Sequence, residues 1–256
     1  MINELKDKVV LIFGASTGIG KATSLVFAEE GAKLVIADLN AEKGLETVEL
    51  IRKKGVEAEF IQTDVSEYEE VERAVDFTVE KFGTLDVVYN NAGFVKPVPL
   101  LMYTPEVYDK TIKTNQYGIF HGILASSKKM VELGVEGVIV NTSSVFGTIA
   151  GAGTFAYNAS KGSVNMMVKS AALELAPYNI RVVGVAPGGV DTQFIQPYRD
   201  MKVEDKLAEL HLRGKNLQPE QIANVVKFLA TEASDVINGQ VLMLDDGLTS
   251  FRSARK

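Results

Sequence analysis

A tyrosine and a lysine stand four positions apart, at Tyr157 and Lys161, inside a stretch from about Phe155 to Ala176 that predicts a long helix. Residues four apart on a helix share one face, so the phenol and the ammonium group are neighbours. That pairing suits proton transfer at a carbinol oxygen. A hydride leaving or reaching a carbinol carbon needs a partner that moves the hydroxyl proton. A phenol can do this near neutral pH only if its pKa falls from about 10, and a cation beside the phenolate lowers it. Ser144 would then hydrogen-bond the substrate oxygen and the developing alkoxide.

A second constellation lies near the start of the chain. Gly14-Ala15-Ser16-Thr17-Gly18-Ile19-Gly20 directly follows the β-branched run Val9–Phe13 and opens a helix. Its GxxxGxG spacing departs from the GxGxxG dinucleotide fingerprint, yet the physics is the same. Glycines permit a tight turn and let a pyrophosphate approach the backbone, while the helix N-terminus offers free N–H groups and a favourable dipole. Gly14, Ser16, Thr17, Gly18, Ile19 and Gly20 form the candidate cofactor turn; a plain glycine-using turn is the alternative. Asp38 ends the second apolar run, 24 positions after Gly14, near the roughly 20 expected for the residue that reads the adenosine ribose. Its carboxylate would accept bonds from ribose hydroxyls and repel the extra phosphate of NADP. Its neighbours Leu39 and Asn40 supply no cation, so NAD is expected in preference to NADP.

These residues require a scaffold, and the pattern supplies one. Short apolar runs at Val9–Phe13, Lys33–Ala37, Ala58–Ile61, Leu85–Tyr89, Val138–Val140, Arg181–Val185 and Gln240–Leu244 alternate with helix-length segments, the longest from about Pro105 to Leu133. Nearly continuous apolar strands imply burial on both faces of a parallel sheet. Strict alternation implies a doubly wound α/β Rossmann fold of about seven strands. Ligands in such sheets sit beyond the carboxyl ends of the strands. A length of 256 residues suits one such domain over 1–256. The polar segment from Val190 to Leu217 breaks the alternation; it is expected to be a partly helical insertion over the site, with a disordered surface loop as the alternative.

With these motifs in place the sequence resembles the short-chain dehydrogenase/reductase family over nearly its whole length. Asn90-Asn91-Ala92-Gly93 after the fourth strand, Asn115 in the long helix, Asn141-Thr142-Ser143-Ser144 after the fifth strand, Tyr157-Asn158-Ala159-Ser160-Lys161, and Pro187-Gly188 after the sixth carry the resemblance. It implies catalytic roles for Asn115, Ser144, Tyr157 and Lys161. Ser144 stands 13 positions before Tyr157, as the family's catalytic serine does; Ser143 is the second candidate. The resemblance further implies that Lys161 holds the nicotinamide ribose and that Asn115 keeps a water in a proton path behind it. Asp64 and Val65 would bound the adenine, Asn91 would lie near the nicotinamide ribose, and Ala92 and Gly93 would be further cofactor contacts. Val190 and Thr192 would touch the carboxamide, and Pro187 and Gly188 would join the cofactor contacts. The family pattern usually carries an Asn where Val183 stands here, and the chain ends its last strand Leu244-Asp245-Asp246-Gly247. The family also implies a homotetramer built on the two long helices.

Composition narrows the remaining options. The chain has no Cys and only two His, His121 and His211, without paired ligand spacing, so no metal site is expected. A net charge of -6, spread along the chain, offers no basic surface for nucleic acid. The N-terminus does not read as a signal peptide, no apolar run reaches membrane-spanning length, and a cytoplasmic protein is expected. The cationic tail from Phe251 is read as a solvated terminus, His121 as a packed helical His, and Asp245–Asp246 as a turn. Phe94, Phe146, Phe155 and Phe194 are candidates for contact with a small-molecule substrate. The leading expectation is an NAD-dependent enzyme for a secondary alcohol, sugar, steroid or diketone. A reductase of carrier-bound 3-oxoacyl thioesters ranks second, and a non-catalytic NAD sensor on the same fold third.

Overall fold

The computed structural model describes residues 4–202 and 204–251; the tail residues beyond Phe251, expected to be solvated, lie outside them. Among the described residues the chain alternates strand and helix: β1 (Val9–Phe13), α1 (Gly18–Glu29), β2 (Lys33–Asp38), α2 (Ala41–Arg52), β3 (Ala58–Gln62), α3 (Tyr68–Phe82), β4 (Val87–Asn90), α4 (Pro105–Ile112), α5 (Gly118–Leu133), β5 (Val138–Thr142), α6 (Phe155–Leu175), β6 (Arg181–Pro187), α7 (Gln196–Asp200), α8 (Glu204–Ala208), α9 (Pro219–Leu229) and β7 (Val241–Leu244). The strands form one parallel sheet in the order β3-β2-β1-β4-β5-β6-β7. The order reverses between β1 and β4, which opens a crevice above their carboxyl ends.

Alternate side chains on each strand serve opposite cores. Val10 and Ile12 of β1 pack with Ile36, Phe27, Ile222 and Val226 on the face covered by α1, α2 and α9. Leu11 and Phe13 pack with Val35, Val75, Ile119 and Val164 on the face covered by α3, α5 and α6. All five β1 residues are buried. Complete burial of side chains of this size stabilises by about 1.5–3 kcal/mol each, so the central strands form a rigid base for the loops above them.

Several boundaries differ from the sequence expectation, and the differences bear on the site. The stretch from Pro105 to Leu133 is interrupted by a π-helical turn over Lys113–Tyr117, which holds Asn115. β5 runs on through Asn141 and Thr142, and β6 through Pro187, because these residues keep pairing: Asn141 faces Gly184, Thr142 faces Val185 and Pro187 faces Leu244. The fourth strand starts at Val87, with Leu85 buried ahead of it. Within 190–217 lie a short 3-10 turn at Gln193–Ile195 and the helices α7 and α8. An isolated parallel bridge, Val190 to Leu217, joins the two ends of that segment.

Candidate active site

The sheet's crevice is a cavity of about 980 Å3, near the upper end of the roughly 300–1,000 Å3 usual for ligand sites. At one end lies the turn after β1. Gly14 has φ +74°, and a Cβ there would sit 2.6 Å from the Ala92 Cα; Gly18 has φ +55°. Both need the left-handed backbone that glycine tolerates. Thr17 precedes α1 without a side-chain cap, and the first turn holds no acidic residue. Its amides and the positive end of the helix dipole therefore face the cavity, suited to an anion. Asp38 stands beside this turn. Its carboxylate accepts from the Ser16 amide at 3.0 Å and from the Asn40 amide at 2.9 Å.

Ser16, Thr17, Gly18, Ile19, Asp38 and Leu39 line this end with Gly14. Asp64 and Val65, just past β3, line it too. Asp64 also accepts from the Ser66 amide and hydroxyl, as a turn-capping acid does. Gly20 does not line the cavity. A Cβ there would lie 2.0 Å from the Gly14 carbonyl oxygen and 2.8 Å from Asn91 Nδ2, so it serves close packing of α1 on the turn. Asn91 Nδ2 donates to the Gly14 carbonyl at 2.9 Å, tying the loop after β4 to the loop after β1. Asn91, Ala92 and Gly93 line the cavity, as do Pro187, Gly188, Val190 and Thr192 from the far side.

Tyr157 and Lys161 project from the first turns of α6 into the same cavity. Tyr157 is 8% exposed and Lys161 1%. The Lys161 Nζ lies 5.7 Å from the Tyr157 ring centre and donates to the Thr142 carbonyl at 2.7 Å. Ser144 lies beside the Tyr157 phenol, where it favours the phenolate, and its Oγ accepts from the Phe146 amide at 3.2 Å. Ser143 instead turns to α6, where its hydroxyl meets Asn165 Oδ1 and the Lys161 carbonyl. Asn115 is wholly buried and does not line the cavity. Its Oδ1 accepts from the Phe94 amide at 2.7 Å, and its Nδ2 donates to the Phe94 carbonyl and to Ser160 Oγ. It fastens the loop after β4 to the base of α6.

The electrostatics differ from the sequence expectation. Burial pushes the Tyr157 phenol upward, and this outweighs the opposing influence of Ser144. Burial also brings Lys161 down to about 7. Burial disfavours charge on either group, so near neutral pH the phenol keeps its proton and Lys161 titrates. The pair therefore presents a proton donor beside a cation that can form when a charge develops nearby.

Phe94, Phe146 and Phe194 line the cavity around this pair. Phe146 meets the Tyr157 ring edge-on at 6.4 Å and Phe194 meets it at 5.7 Å. Phe155 is half-exposed and packs on Tyr103 and Tyr108 outside the cavity. His121 is packed, its Nδ1 2.9 Å from the Val65 carbonyl and its ring edge-on to Tyr68. Sequence reasoning passed over Thr63, Gln193 and Tyr198, which also line the cavity. Thr63 directly follows β3, so the rule of inspecting strand ends would have found it; Gln193 and Tyr198 lie in a segment without periodicity. Among the described residues no cluster of His, Asp and Glu could hold a metal ion, and no helix is long and apolar enough to cross a membrane.

A family model described as "Enoyl-(Acyl carrier protein) reductase" matches residues 14–249. The chain is 34% identical over 250 residues to the cyclopentanol dehydrogenase of Comamonas sp. (strain NCIMB 9872), covering 97% of this chain and all of that protein. It is 37% identical over 247 residues to a 2,5-dichloro-2,5-cyclohexadiene-1,4-diol dehydrogenase of Sphingobium indicum, covering 96% of this chain and 98% of that one. A solved short-chain type dehydrogenase/reductase from Mycobacterium marinum matches with a TM-score of 0.94 at 31% identity over 98% of each chain. Levodione reductase matches with a TM-score of 0.91 at 31% identity, over 96% of this chain and 100% of that one. Since the likeness runs almost end to end in both sequence and backbone path, the chain belongs to the short-chain dehydrogenase/reductase family of oxidoreductases.

Proposed function

We propose that the protein interconverts a cyclic secondary alcohol and its ketone using NAD(H), with Tyr157 as the acid/base. One observation carries this reading. A buried phenol flanked by Ser144 and Lys161 shares a single cavity with an uncapped helix N-terminus and an acid at the end of β2. The residues present fit a dinucleotide: the turn from Gly14 to Ile19 would hold its pyrophosphate, and Asp38 its adenosine ribose. Asp64 and Val65 would bound the adenine. Asn91 and Lys161 would hold the nicotinamide ribose, with Pro187 to Thr192 at the carboxamide. Bound there, the nicotinamide supplies the hydride acceptor or donor.

The chain's own residues manage the proton and the oxygen. Ser144 Oγ donates to the substrate oxygen and steadies negative charge developing on it. In the direction of ketone reduction, the protonated Tyr157 phenol delivers its proton to that oxygen. In the direction of alcohol oxidation the deprotonated Tyr157 phenolate receives the hydroxyl proton, and a charged Lys161 stabilises that phenolate beforehand. Segment 190–217 covers the substrate end through Phe194, Ile195, Tyr198 and Leu210. The apolar rings of Phe94, Phe146 and Phe194 favour a flat or alicyclic substrate, in keeping with the ring compounds named for the Comamonas and Sphingobium enzymes. Half-exposed apolar residues on α5 and α6, among them Phe120 and Met166, support a homotetramer built on these helices, which light scattering would test.

The test is nicotinamide absorbance with NADH and NADPH separately, against cyclic ketones, diketones, keto sugars, steroid ketones and 3-oxoacyl thioesters, with the alcohols in reverse. Turnover with NADH on a cyclic ketone is expected. Turnover confined to NADPH and thioesters would overturn the reading in favour of a carrier-bound substrate, the class named by the matching family model.

A further inference from the structure

Pro187, Gly188, Gly189 and Val190 line the cavity as the chain leaves β6. Behind them, outside the cavity lining, His211 is buried to 1% exposure. The Gly189 amide donates to His211 Nε2 at 3.1 Å. The Gly189 carbonyl accepts from the Leu217 amide at 2.8 Å, and the Asp191 amide donates to the Leu217 carbonyl at 2.8 Å. Both backbone polar groups of Gly189 are thus held by the far end of the segment that starts there. The fit is close: a Cβ on Gly188 would lie 2.5 Å from His211 Nε2, and one on Gly189 3.0 Å from its Cε1. The following residues are tied to the turn after β7. The Leu212 amide donates to the Asp246 carbonyl, and Arg213 donates its amide and Nε to the Asp246 carboxylate at 2.8 and 2.7 Å.

We propose that His211 is a positioning residue whose unprotonated Nε2 fixes the Gly189 amide, and with it the Pro187–Val190 wall that receives the nicotinamide end of the cofactor. The inference rests on the cofactor reading above. Nε2 must accept, so the neutral ring carries its proton on Nδ1. A second proton would set N–H against N–H and release the wall. The Asp245 and Asp246 carboxylates and the Ala208 carbonyl favour the charged ring, and Arg213 occupies Asp246 from the same segment. Burial opposes them and prevails, holding His211 below its ordinary value of 6.5. Release therefore belongs to pH below that of an ordinary histidine.

The test compares wild type with H211F, which keeps a ring and loses the acceptor, and H211Q, which offers an oxygen near the position of Nε2. Amide hydrogen exchange is followed across 188–191 without nucleotide. NADH affinity is followed by the nucleotide's own fluorescence at about pH 7.5 and about pH 5. In H211F, exchange at Gly189 should quicken and the NADH Kd rise, each about tenfold, while H211Q stays within about twofold of wild type. Acid should weaken NADH binding to wild type more than to H211Q, which keeps the titration of Lys161 and lacks that of His211. Wild-type exchange and affinity in H211F would overturn the proposal with the cofactor reading intact, and so would equal acid weakening in H211Q. Wild type that binds no nicotinamide nucleotide, with the exchange difference still present, would remove the cofactor reading and keep the hold of His211 on the wall.

Discussion

The Ser16 amide and the Asp38 carboxylate meet at 3.0 Å across the ends of two neighbouring strands. β1 and β2 run parallel in register, with Phe13 opposite Ala37, so the turn after one strand and the acid ending the other arrive at the same height. The second carboxylate oxygen takes the Asn40 amide. With each oxygen engaged by a backbone donor, the carboxylate is held in one orientation at the mouth of the cavity before any ligand arrives. A charge fixed this way selects by repulsion as much as by attraction.

Asp38→Ala should therefore change which nucleotide binds. The variant loses charge-assisted acceptors worth about 1.5–3 kcal/mol and no longer repels a 2′-phosphate. Fluorescence titration should show the preference for NADH over NADPH falling by roughly ten- to a hundredfold. An unchanged ratio would mean that Asp38 only shapes the turn.

Tyr157→Phe removes the phenolic oxygen and little else. The ring keeps its contacts with Phe146 and Phe194, and the rest of the cavity is untouched. Turnover should drop by roughly 10²–10⁴, the usual contribution of a positioned acid/base, while NADH affinity stays within about twofold. Substantial activity in this variant would assign the proton to another group.

Much of this architecture was legible in the sequence because burial leaves a strong trace. Val9–Phe13 and Leu34–Ala37 are apolar on both faces, and that pattern has few explanations besides a covered parallel strand. Tyr157, Lys161 and Ser144 were legible through spacing, since a helix and a strand end fix where they point. What could not be read depends on contacts between distant segments. Nothing around Asn115 announces a π turn, which accompanies its bonds to the Phe94 backbone. The upward push on Tyr157 was missed because spacing reveals a neighbouring cation but not how deeply the pair is buried. Gly20 looked like part of the cofactor cradle, yet its lack of a side chain serves the approach of α1 to the Gly14 carbonyl.

Gly20→Ala tests that last distinction. A Cβ 2.0 Å from a backbone oxygen cannot be absorbed by a rotamer change, so α1 must move outward. A destabilisation of about 1–3 kcal/mol is expected, read as a lower midpoint in urea. NADH affinity should fall with it, because the helix amides are displaced. A variant with wild-type stability and weakened binding would return Gly20 to direct contact with the ligand.

Lys161→Met separates what the lysine does for chemistry from what it does to stability. The folded protein holds Lys161 near 7, against an ordinary value of 10.5. Between those values the unfolded chain binds the proton more tightly, so wild-type stability rises with pH across this window. Below it the burial penalty is fully present; above it the penalty is gone. Methionine fills a similar volume without a proton to lose, although it gives up the bond to the Thr142 carbonyl. At about pH 7 the variant should melt at least about 3 °C above wild type, and the gap should close as the pH approaches about 10. Turnover should be lost, and NADH affinity weakened through the ribose contact. A melting difference that stays flat across this range would show that Lys161 is not held below its ordinary pKa, and the account of a Tyr157–Lys161 pair kept neutral by burial would fall with it.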